Sequence, residues 1–462
     1  MNEKLISYNK YISGKKVAFL GAGLSHRELI PQYVKKGAHV TLCDRKSFED
    51  LGEYGEQLRS LGVDFHLGDG YLSDLCDYDI IFRTPGIDYT KPEIQNAVNA
   101  GVTVTSEIET FFDLCPARTI GVTGSDGKTT TTTIIAKSLE AAGYTVHLGG
   151  NIGRPLLPII DEVGPDDIAV VELSSFQLIS MKTSPDISVV TNMAPNHLDH
   201  HKDMREYIDA KRNILVHQNA GGIAVLNFEN DITREMESDV RGSLRWFSRS
   251  SPVENGTFID ENRHLIFSEN GVLTDIMDLM TLKLPGAHNR ENVATAAAVV
   301  LPIIGRDMFV DFVTGFGGVE HRIELTREKD GVRWYNDSIG TSPTRTIAGL
   351  RSFDRKLILL AGGYDKKISY APLAPEIIEH VKVLLVCGDT ADKIVSEVEK
   401  LGYDPSELLI EKLDDLEQCV SRADELAKDG DIVLMSPASA SFDRYPNFEV
   451  RGQHFKSLVA AL

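Results

Sequence analysis

The chain has 462 residues, of which 42% are hydrophobic and 25% are charged, and its formal net charge at pH 7 is -20. Because single hydrophobic cores stop growing at about 250–300 residues, this length predicts two or three folded domains, and the ordinary composition excludes disorder. The strong negative charge repels polyanions, so we expect no nucleic-acid partner.

Hydropathy and cysteine content indicate the cellular compartment of the protein. No apolar run reaches the ~18 residues that a membrane span needs, and residues 1–16 are polar, unlike a signal peptide. The five cysteines lie far apart and form no C-x-x-C pair, which argues against a zinc site or a disulfide framework. We therefore expect a cytoplasmic protein with reduced thiols and no membrane association.

The first part of the chain is typical of a β-turn-α-β unit in a parallel sheet. The turn is Gly21-Ala22-Gly23, and the helix after it is predicted to reach residue 36. Short apolar runs predict four strands, at residues 17–20, 40–43, 80–82 and 102–104. These observations predict a Rossmann-like domain over residues 1–105.

Two more domains are predicted from the strands that follow. Apolar runs predict strands at residues 119–122, 168–171 and 187–191, and then at residues 332–335, 357–361, 383–387 and 432–435. Helical stretches alternate with these strands, which is typical of mostly parallel sheets. We therefore predict an α/β protein of three domains, with a central domain at residues 106–320 and a dinucleotide-fold-like C-terminal domain at residues 321–462.

A phosphate-binding loop is predicted between a strand and a helix of the central domain. Its sequence is Thr123-Gly124-Ser125-Asp126-Gly127-Lys128-Thr129, and the helix is expected over residues 128–142. In such loops backbone amides wrap a phosphate, the lysine reaches the β and γ oxygens and the threonine can bind Mg²⁺. Val122 stands where the usual motif has its first glycine, but the strand-loop-helix context favours this interpretation over a glycine-rich turn. The absence of a guanine-specific N-K-x-D motif favours ATP.

Polar residues follow two strands of the central domain. Glu172 comes after the strand at residues 168–171, where a magnesium-binding carboxylate of a phosphate-loop enzyme belongs, and a helix-capping acid is the alternative. The segment Asn196-His197-Leu198-Asp199-His200-His201 follows the next strand. Taken alone, it fits a polar loop as well as a site, because magnesium prefers oxygen ligands.

Lys211 interrupts the apolar stripe of a predicted helix at residues 203–216. The stripe consists of Met204, Tyr207, Ile208 and Leu215, so Lys211 should face inward. A buried ammonium must snorkel, pair with an acid, lose its proton or be chemically converted. The pattern alone favours snorkelling or an ion pair over carbamylation by CO₂, which would create an oxygen ligand for Mg²⁺.

Five segments have a distinctive order and spacing over almost the whole chain. They are residues 123–130, the hexapeptide Glu172-Leu173-Ser174-Ser175-Phe176-Gln177, residues 192–199, the heptapeptide Gly286-Ala287-His288-Asn289-Arg290-Glu291-Asn292, and Glu320-His321-Arg322. Together they resemble the Mur ligase family. The resemblance implies an N-terminal domain that binds a UDP substrate, a central ATPase domain and a C-terminal domain that binds an amino acid.

Two further segments are similar to one branch of that family. They are Asn336-Asp337-Ser338 and Ser436-Pro437-Ala438-Ser439-Ala440-Ser441-Phe442-Asp443, whereas the Asp-Asn-Pro-Arg motif of the diaminopimelate-adding branch is absent. The implied reaction is the ATP-dependent addition of D-glutamate to UDP-N-acetylmuramoyl-L-alanine through an acyl phosphate, in peptidoglycan precursor synthesis. Two Mg²⁺ ions, small-molecule partners only and a monomeric enzyme are also expected.

The resemblance assigns roles to individual residues. The catalytic residues it implies are Lys128, His197, Lys211 and Arg322. The metal ligands are Thr129, Glu172, His197 and carbamylated Lys211, which reverses the order that the pattern alone favours. ATP is expected to contact Gly124, Ser125, Asp126, Gly127, Lys128, Thr129, Thr130, Asn289, Asn292, Arg322 and Asp337. The UDP substrate is assigned to Leu24, Ser25, Asp44, Gly86, Asn151 and His197, and D-glutamate to Thr341, Lys366, Ser441 and Phe448.

Three positions depart from the family pattern. His26 stands where the N-terminal turn often has a third glycine, Ile339 follows Ser338 where many relatives have lysine, and Tyr364 replaces an acidic residue of some members. These departures concern the contacts with the UDP substrate and D-glutamate rather than the chemistry.

Several alternatives remain open at this point. Another Mur ligase or a folylpolyglutamate synthase would share the loop at Lys128. A nicotinamide-dependent oxidoreductase would explain the turn at Gly21 and the acid Asp44, but not that loop. A phosphate-loop switch protein would hydrolyse ATP without either substrate.

Overall fold

The computed structural model describes residues 2–195, 201–284 and 286–462. The chain divides into two compact units, one of residues 1–278 and 291–310 and the other of residues 279–290 and 311–462. The first unit contains two sheets and the second contains one. Within the described ranges, none of the helices has the length and apolar character that crossing a lipid bilayer requires.

The N-terminal sheet has five parallel strands in the order β3-β2-β1-β4-β5. Its elements are α1 (Glu3–Ile12), β1 (Lys16–Leu20), α2 (Leu24–Arg27), α3 (Leu29–Lys35), β2 (His39–Asp44), α4 (Phe48–Ser60), β3 (Asp64–Leu67), β4 (Ile80–Arg83), α5 (Pro92–Asn99), β5 (Thr103–Thr105) and α6 (Glu107–Leu114). The apolar run in β1 is buried, as expected for a strand of a parallel sheet that helices cover. The Rossmann-like prediction is confirmed.

The central sheet has nine strands in the order β14-β13-β12-β11-β10-β9-β6-β8-β7. Its elements are β6 (Arg118–Thr123), α7 (Lys128–Ala141), β7 (Val146–Gly150), β8 (Ile168–Glu172), α8 (Ser175–Leu178), β9 (Ile187–Val190), α9 (Met204–Val216), β10 (Ile223–Asn227), α10 (Asp231–Glu235), β11 (Ser243–Ser248), β12 (Gly256–Ile259), β13 (His264–Glu269), β14 (Val272–Asp278), α11 (Ala287–Ile304) and α12 (Arg306–Gly315). Strands β9, β6 and β8 are adjacent and parallel, so the residues after their carboxyl ends meet at one edge of the sheet.

The C-terminal sheet has six strands in the order β15-β16-β20-β17-β18-β19, of which only β15 is antiparallel to its neighbour. Its elements are β15 (Glu324–Lys329), β16 (Val332–Asn336), α13 (Pro343–Leu350), β17 (Leu357–Ala361), α14 (Ala374–His380), β18 (Val381–Val386), α15 (Ala391–Leu401), β19 (Leu409–Lys412), α16 (Leu416–Leu426), β20 (Ile432–Met435) and α17 (Phe448–Ala461). Alternate residues of β17 face opposite sides: Leu359 packs in one apolar cluster, and Ile358 and Leu360 pack in another.

The structure differs from the sequence prediction in one helix and in several strands. The expected helix up to residue 36 is two helices, α2 and α3, which meet at Glu28. Nine strands were not predicted: β3, β7, the run from β10 to β14, β15 and β19. Part of the reason is the antiparallel pairing of β12, β13 and β14, whose exposed residues Val272 and Leu273 interrupt the buried-run pattern of a parallel sheet.

Candidate active site

The loop between β6 and α7 requires glycine at two positions. Gly124 has a φ of 144°, and a Cβ there would lie 1.9 Å from the hydroxyl oxygen of Thr191. Gly127 has a φ of 78°, and a Cβ there would lie 2.4 Å from the side-chain oxygen of Asn292. Both contacts are shorter than any van der Waals separation, so only glycine fits this path of the backbone.

Hydrogen bonds from the neighbouring strand hold the loop in place. The backbone N–H of Ser125 donates to the carbonyl oxygen of Asn192 over 2.9 Å, and the N–H of Asp126 donates to the Asn192 side-chain oxygen over 2.9 Å. The Thr191 hydroxyl donates to the carbonyl of Asp126 over 2.6 Å. These bonds fix the path of the loop at the amino end of α7, where the N–H groups of the first helical turn favour an anion.

Lys128 is folded over the loop. Its Nζ donates to the carbonyl oxygens of Gly124 and Ser125, each over 2.9 Å. Thr129 and Thr130 complete the first turn of α7, with Thr130 buried and Thr129 partly exposed. The structure thus places the predicted phosphate-loop residues together at the amino end of α7.

Glu172 ends β8, next to the loop. Its side chain is 1% exposed, and one carboxylate oxygen, Oε1, accepts a 2.7 Å hydrogen bond from Asn151. The other oxygen, Oε2, is buried and has no hydrogen-bond partner among the described residues. An unpartnered buried carboxylate oxygen is costly, and a bound cation would offset that cost. Glu172 therefore fits a metal ligand better than a helix cap, and Ser174 is the residue that caps α8.

Lys211 is buried under the same loop, with 2% of its surface exposed. Its Nζ donates to the hydroxyl of Thr123 over 3.0 Å and to the carbonyl of Gly124 over 2.8 Å. Burial lowers the pKa of Lys211 well below its ordinary value, and the charge of Lys128 lowers it further. Snorkelling, favoured by the pattern alone, is wrong because the side chain ends under the loop, and Lys211 pairs with no described carboxylate.

Histidines follow β9, and the structure describes one of the group. His197, expected to bind metal and the UDP substrate, lies outside the described residues. His201 is buried, with 2.8 Å between its Nε2 and the Ser175 hydroxyl and 3.1 Å between its Nδ1 and a carboxylate oxygen of Glu206. Its ring stacks on Phe176 with 5.1 Å between ring centroids. His201 thus fixes the segment after Glu172 against α9, a long-range contact that no local sequence pattern indicates.

The predicted UDP-substrate residues of the N-terminal domain lie at or near the turn after β1. The carboxylate of Asp44 accepts a 2.7 Å hydrogen bond from the backbone N–H of Ala22, so this acid shapes the turn. Leu24 is 78% exposed at the start of α2, followed by Ser25, and a Cβ at Gly86 would meet no atom within 4 Å. Asn151 lies apart from this group and contacts Glu172.

His26 replaces the third glycine of the turn without leaving a gap. Its ring is fully buried against Phe19, with 5.1 Å between centroids, and its Nδ1 lies 2.9 Å from the carbonyl oxygen of Gly21. Burial lowers the pKa of His26 to about 4, although the hydrogen bond with Gly21 opposes this shift. A neutral histidine therefore fills the space between the helix and the strand.

Arg83 joins the N-terminal domain to the segment after Glu172, and sequence reasoning missed it. Its guanidinium is buried and donates from Nη1 to the carbonyl of Ile87 over 2.6 Å. From Nη2 it donates to the carbonyl of Phe176 over 2.8 Å and to the hydroxyl of Ser180 over 3.2 Å. Arginine at the end of an otherwise apolar strand is the only local signal of this role.

The predicted adenine-side residues are buried near the start of α11. Asn292 accepts a 3.4 Å hydrogen bond from the hydroxyl of Thr131 and stands beside Gly127, so it adjoins the phosphate loop. Asn289 is also buried, in the first turn of the helix. The division of the chain into two units falls between these residues.

The predicted ribose contact, Asp337, is a buried acid after β16. Its carboxylate accepts a 2.6 Å hydrogen bond from the hydroxyl of Ser436. Burial raises the pKa of Asp337 to about 7, and the bond from Ser436 and the charge of Arg322 oppose the rise. Arg322 thus belongs to the electrostatic surroundings of Asp337.

Three of the four residues expected to bind D-glutamate lie on loops of the C-terminal sheet, and the fourth begins a helix. The Lys366 ammonium donates to the carbonyl and the hydroxyl of Thr341 over 3.2 and 3.3 Å. Ser441 is buried in the loop after β20, and the N–H of Tyr364 donates to the carbonyl of the adjacent Ala440 over 2.9 Å. Phe448 begins α17, and its carbonyl accepts a 2.7 Å bond from Ser338. The structure therefore joins the loops that carry Lys366 and Ser441.

Three family models match the chain. They are a Mur ligase MurD-like N-terminal domain at residues 15–106, a Mur ligase middle domain at residues 122–300 and a Mur ligase glutamate ligase domain at residues 321–439. A UDP-N-acetylmuramoylalanine–D-glutamate ligase of Acetivibrio thermocellus is 49% identical over the full length of both chains. The protein of the same name from Clostridium botulinum (strain Kyoto) is 45% identical, again over both full lengths.

Solved structures with low sequence identity share the fold. The UDP-N-acetylmuramate–alanine ligase MurC of Thermotoga maritima is 18% identical and superposes with a TM-score of 0.56, covering 97% of this chain and 99% of that one. The MurF ligase of Thermotoga maritima, solved with ADP, is also 18% identical and has a TM-score of 0.53, covering 98% and 97% of the two chains. On the strength of the matched domains and the full-length relatives, the chain belongs to the Mur ligase family.

Proposed function

We propose that the chain joins D-glutamate to UDP-N-acetylmuramoyl-L-alanine in an ATP-dependent reaction that releases ADP and phosphate, a step in peptidoglycan precursor synthesis. Two relatives that carry this activity in their names match the full chain at 49% and 45% identity. The observation that carries the chemistry is the convergence of Lys128 and Lys211 on the carbonyl oxygen of Gly124. It supports placing the γ-phosphate at this loop.

The proposal assigns one main ligand to each part of the chain, although the UDP substrate also contacts two residues of the central part and ATP two residues of the C-terminal part. Residues 1–105 take the UDP substrate, residues 106–320 take ATP, and residues 321–462 take D-glutamate. The UDP substrate contacts Leu24, Ser25, Asp44, Gly86, Asn151 and His197, and D-glutamate contacts Thr341, Lys366, Ser441 and Phe448. ATP contacts residues 124–130 together with Asn289, Asn292, Arg322 and Asp337.

The carboxylate of the L-alanyl group must be activated before an amine can attack it. In the proposed first step, a carboxylate oxygen attacks the γ-phosphorus, the bond to the β-phosphate oxygen breaks, and ADP leaves. In the second step the neutral amine of D-glutamate attacks the acyl carbon, phosphate leaves and the amine loses a proton. Lys128 and Arg322 are proposed to offset the charge repulsion of the first step.

Mg²⁺ is proposed as the metal cofactor of the reaction. The unpartnered, buried Oε2 of Glu172 and the partly exposed hydroxyl of Thr129 provide the oxygen ligands that magnesium prefers. Lys211 as a carbamate, with His197, is proposed to hold a second ion. The ions would neutralise charge on the phosphate oxygens.

Carbamylation of Lys211 fits the observed burial of its amine. A neutral Nζ can attack CO₂ through its lone pair; a nitrogen proton then leaves to water, and a carbamate anion remains. Burial and the nearby charge of Lys128 both favour the neutral amine. Intact-protein mass spectrometry under gentle conditions should show the mass of one added CO₂ on the wild-type protein. The Lys211→Met variant should lack this added mass. An unmodified wild-type mass in bicarbonate buffer would reject the carbamate.

The decisive experiment measures phosphate release with UDP-N-acetylmuramoyl-L-alanine, testing D-glutamate, L-glutamate and diaminopimelate in parallel. We expect release that depends on D-glutamate and equals amide formation. Release with diaminopimelate or L-glutamate alone would reassign the chain to another reaction of the family. Size-exclusion chromatography should also show a monomer, and the enzyme is proposed to act in the cytoplasm.

A further inference from the structure

Two cationic side chains hold the turn that follows β16. The turn is closed by the N–H of Thr341, which donates to the carbonyl of Ile339 over 2.7 Å. Arg345, in the first turn of α13, donates from Nη1 to that Ile339 carbonyl over 3.2 Å. Lys366 donates to the carbonyl and hydroxyl of Thr341 over 3.2 and 3.3 Å. Both cations therefore end at the same three-residue turn.

These cations are not neutralised by the groups that they contact. A guanidinium has five N–H donors and an ammonium has three, and here the acceptors are neutral carbonyl and hydroxyl oxygens. Within the described ranges, neither Arg345 nor Lys366 forms an ion pair with a carboxylate. Charge-assisted hydrogen bonds to an anion would be shorter and stronger than these contacts.

A third cation adds to the positive potential. After burial, the charge of Arg322 is the strongest influence that lowers the pKa of Arg345. Likewise, after burial, the charge of Arg345 is the main influence that lowers the pKa of Lys366. The acid that faces this group, Asp337, has a pKa of about 7 and so carries only part of a negative charge near neutrality. In a chain with a net charge of -20, such a locally positive group favours an anionic ligand.

Arg345 supplies a cationic donor beside an apolar residue of the turn, Ile339. The side chain of Ile339 has no donor, whereas the guanidinium of Arg345 reaches the carbonyl of the same residue from the next helix. We propose that Arg345 binds the α-carboxylate of the incoming amino acid together with Lys366 and Thr341. This rests on the proposed function of the C-terminal domain. The planar guanidinium suits a carboxylate, which it can contact through two parallel hydrogen bonds.

Steady-state kinetics of three variants test this assignment. Arg345→Met removes the charge, Arg345→Lys retains it without the planar donor pair, and Arg355→Met is the matched control. Arg355 also donates to a backbone carbonyl over 3.2 Å, that of Gly430. It precedes β17 and therefore lies at the amino ends of the parallel strands, whereas the turn of Ile339 follows the carboxyl end of β16. Thermal unfolding should be similar in all three variants, because Arg345 makes one contact with a neutral acceptor.

We expect Arg345→Met to raise the KM for D-glutamate at least about tenfold, with Arg345→Lys intermediate and Arg355→Met unchanged. The KM values for ATP and the UDP substrate should stay within about twofold. With D-isoglutamine, which carries an α-amide in place of the carboxylate, wild type and Arg345→Met should have similar KM values. This comparison separates loss of a carboxylate contact from a general structural defect.

Two results would overturn the assignment: an unchanged KM for D-glutamate in Arg345→Met, or an equal rise in the KM for ATP, which would place Arg345 at a phosphate. Failure of the proposed function has a different signature. In that case wild type would reject D-glutamate and accept another amino acid, and the same KM comparison with that amino acid would still decide the role of Arg345.

Discussion

The ammonium groups of Lys128 and Lys211 donate hydrogen bonds to the same atom, the carbonyl oxygen of Gly124, over 2.9 and 2.8 Å. Lys128 approaches from the start of α7 and Lys211 from α9. Two like charges this close repel each other, so this geometry favours a neutral amine at the more buried Lys211. The charged Lys128 is therefore suited to bind phosphate, and the neutral Lys211 is suited to react with CO₂.

Replacing Lys128 with alanine should abolish phosphate transfer while leaving the fold intact. The lysine is the only described side chain that donates to the carbonyls of both Gly124 and Ser125. Loss of one charged donor to a transferring phosphoryl group should lower kcat at least about 100-fold. Lys137→Ala, an exposed lysine of the same helix that pairs with Glu140, is the control and should retain full activity. ADP production by purified Lys128→Ala at more than about one hundredth of the wild-type rate would refute the role.

Replacing Lys211 with alanine should inactivate the enzyme and permit partial rescue. A small carboxylate such as formate or acetate can enter the vacated space and supply the oxygens that the carbamate would otherwise provide. We expect phosphate release by Lys211→Ala to rise with formate concentration, while wild type stays unaffected. Full activity of Lys211→Ala without added carboxylate would remove this residue from the site.

Arg83→Met should weaken both stability and use of the UDP substrate. It leaves the carbonyls of Ile87 and Phe176 without their donor, at a cost of about 1–3 kcal/mol for each buried group that stays unsatisfied. Because Arg83 joins the loop near Gly86 to the segment after Glu172, the KM for the UDP substrate should rise more than the KM for ATP. Urea denaturation and steady-state kinetics measure the two effects.

The control for Arg83 is Arg59→Met, which removes an exposed arginine paired with Glu56 in the same domain. It should change the free energy of unfolding by less than about 1 kcal/mol. Equal destabilisation by both substitutions would show that the buried network contributes nothing specific.

Asp337 should make stability fall as pH rises toward neutrality. Its pKa is about 7 in the folded chain and 3.8 as the reference value, so between these values the folded state binds more protons than the unfolded state. The stability it contributes is fully present below pH ~4 and is lost as pH rises through ~7, with an upper limit on the order of 4 kcal/mol. Urea denaturation across this pH range should show a smaller decrease in the free energy of unfolding for Asp337→Asn than for the wild type. If the two proteins lose the same free energy over this range, the pKa of Asp337 is not raised.

The parts of the site that the sequence predicted are those with local patterns. The phosphate loop is a contiguous segment between a strand and a helix, and Lys211 stands out because it breaks a helical apolar stripe. The buried contacts of Arg83 and His201 were missed because their partners lie 93 and 26 residues away. Arg345 was missed for another reason: its partner is only six residues away, but the contact depends on how the turn after β16 meets α13.

The most direct test of the central claim follows oxygen atoms. UDP-N-acetylmuramoyl-L-alanine labelled with ¹⁸O in its alanyl carboxylate is incubated with the enzyme, ATP and D-glutamate, and the released phosphate is analysed by mass spectrometry. If the carboxylate is phosphorylated and then displaced by the amine, each phosphate should carry one ¹⁸O atom from the substrate. Phosphate without the label would contradict an acyl phosphate at the loop of Lys128 and Lys211.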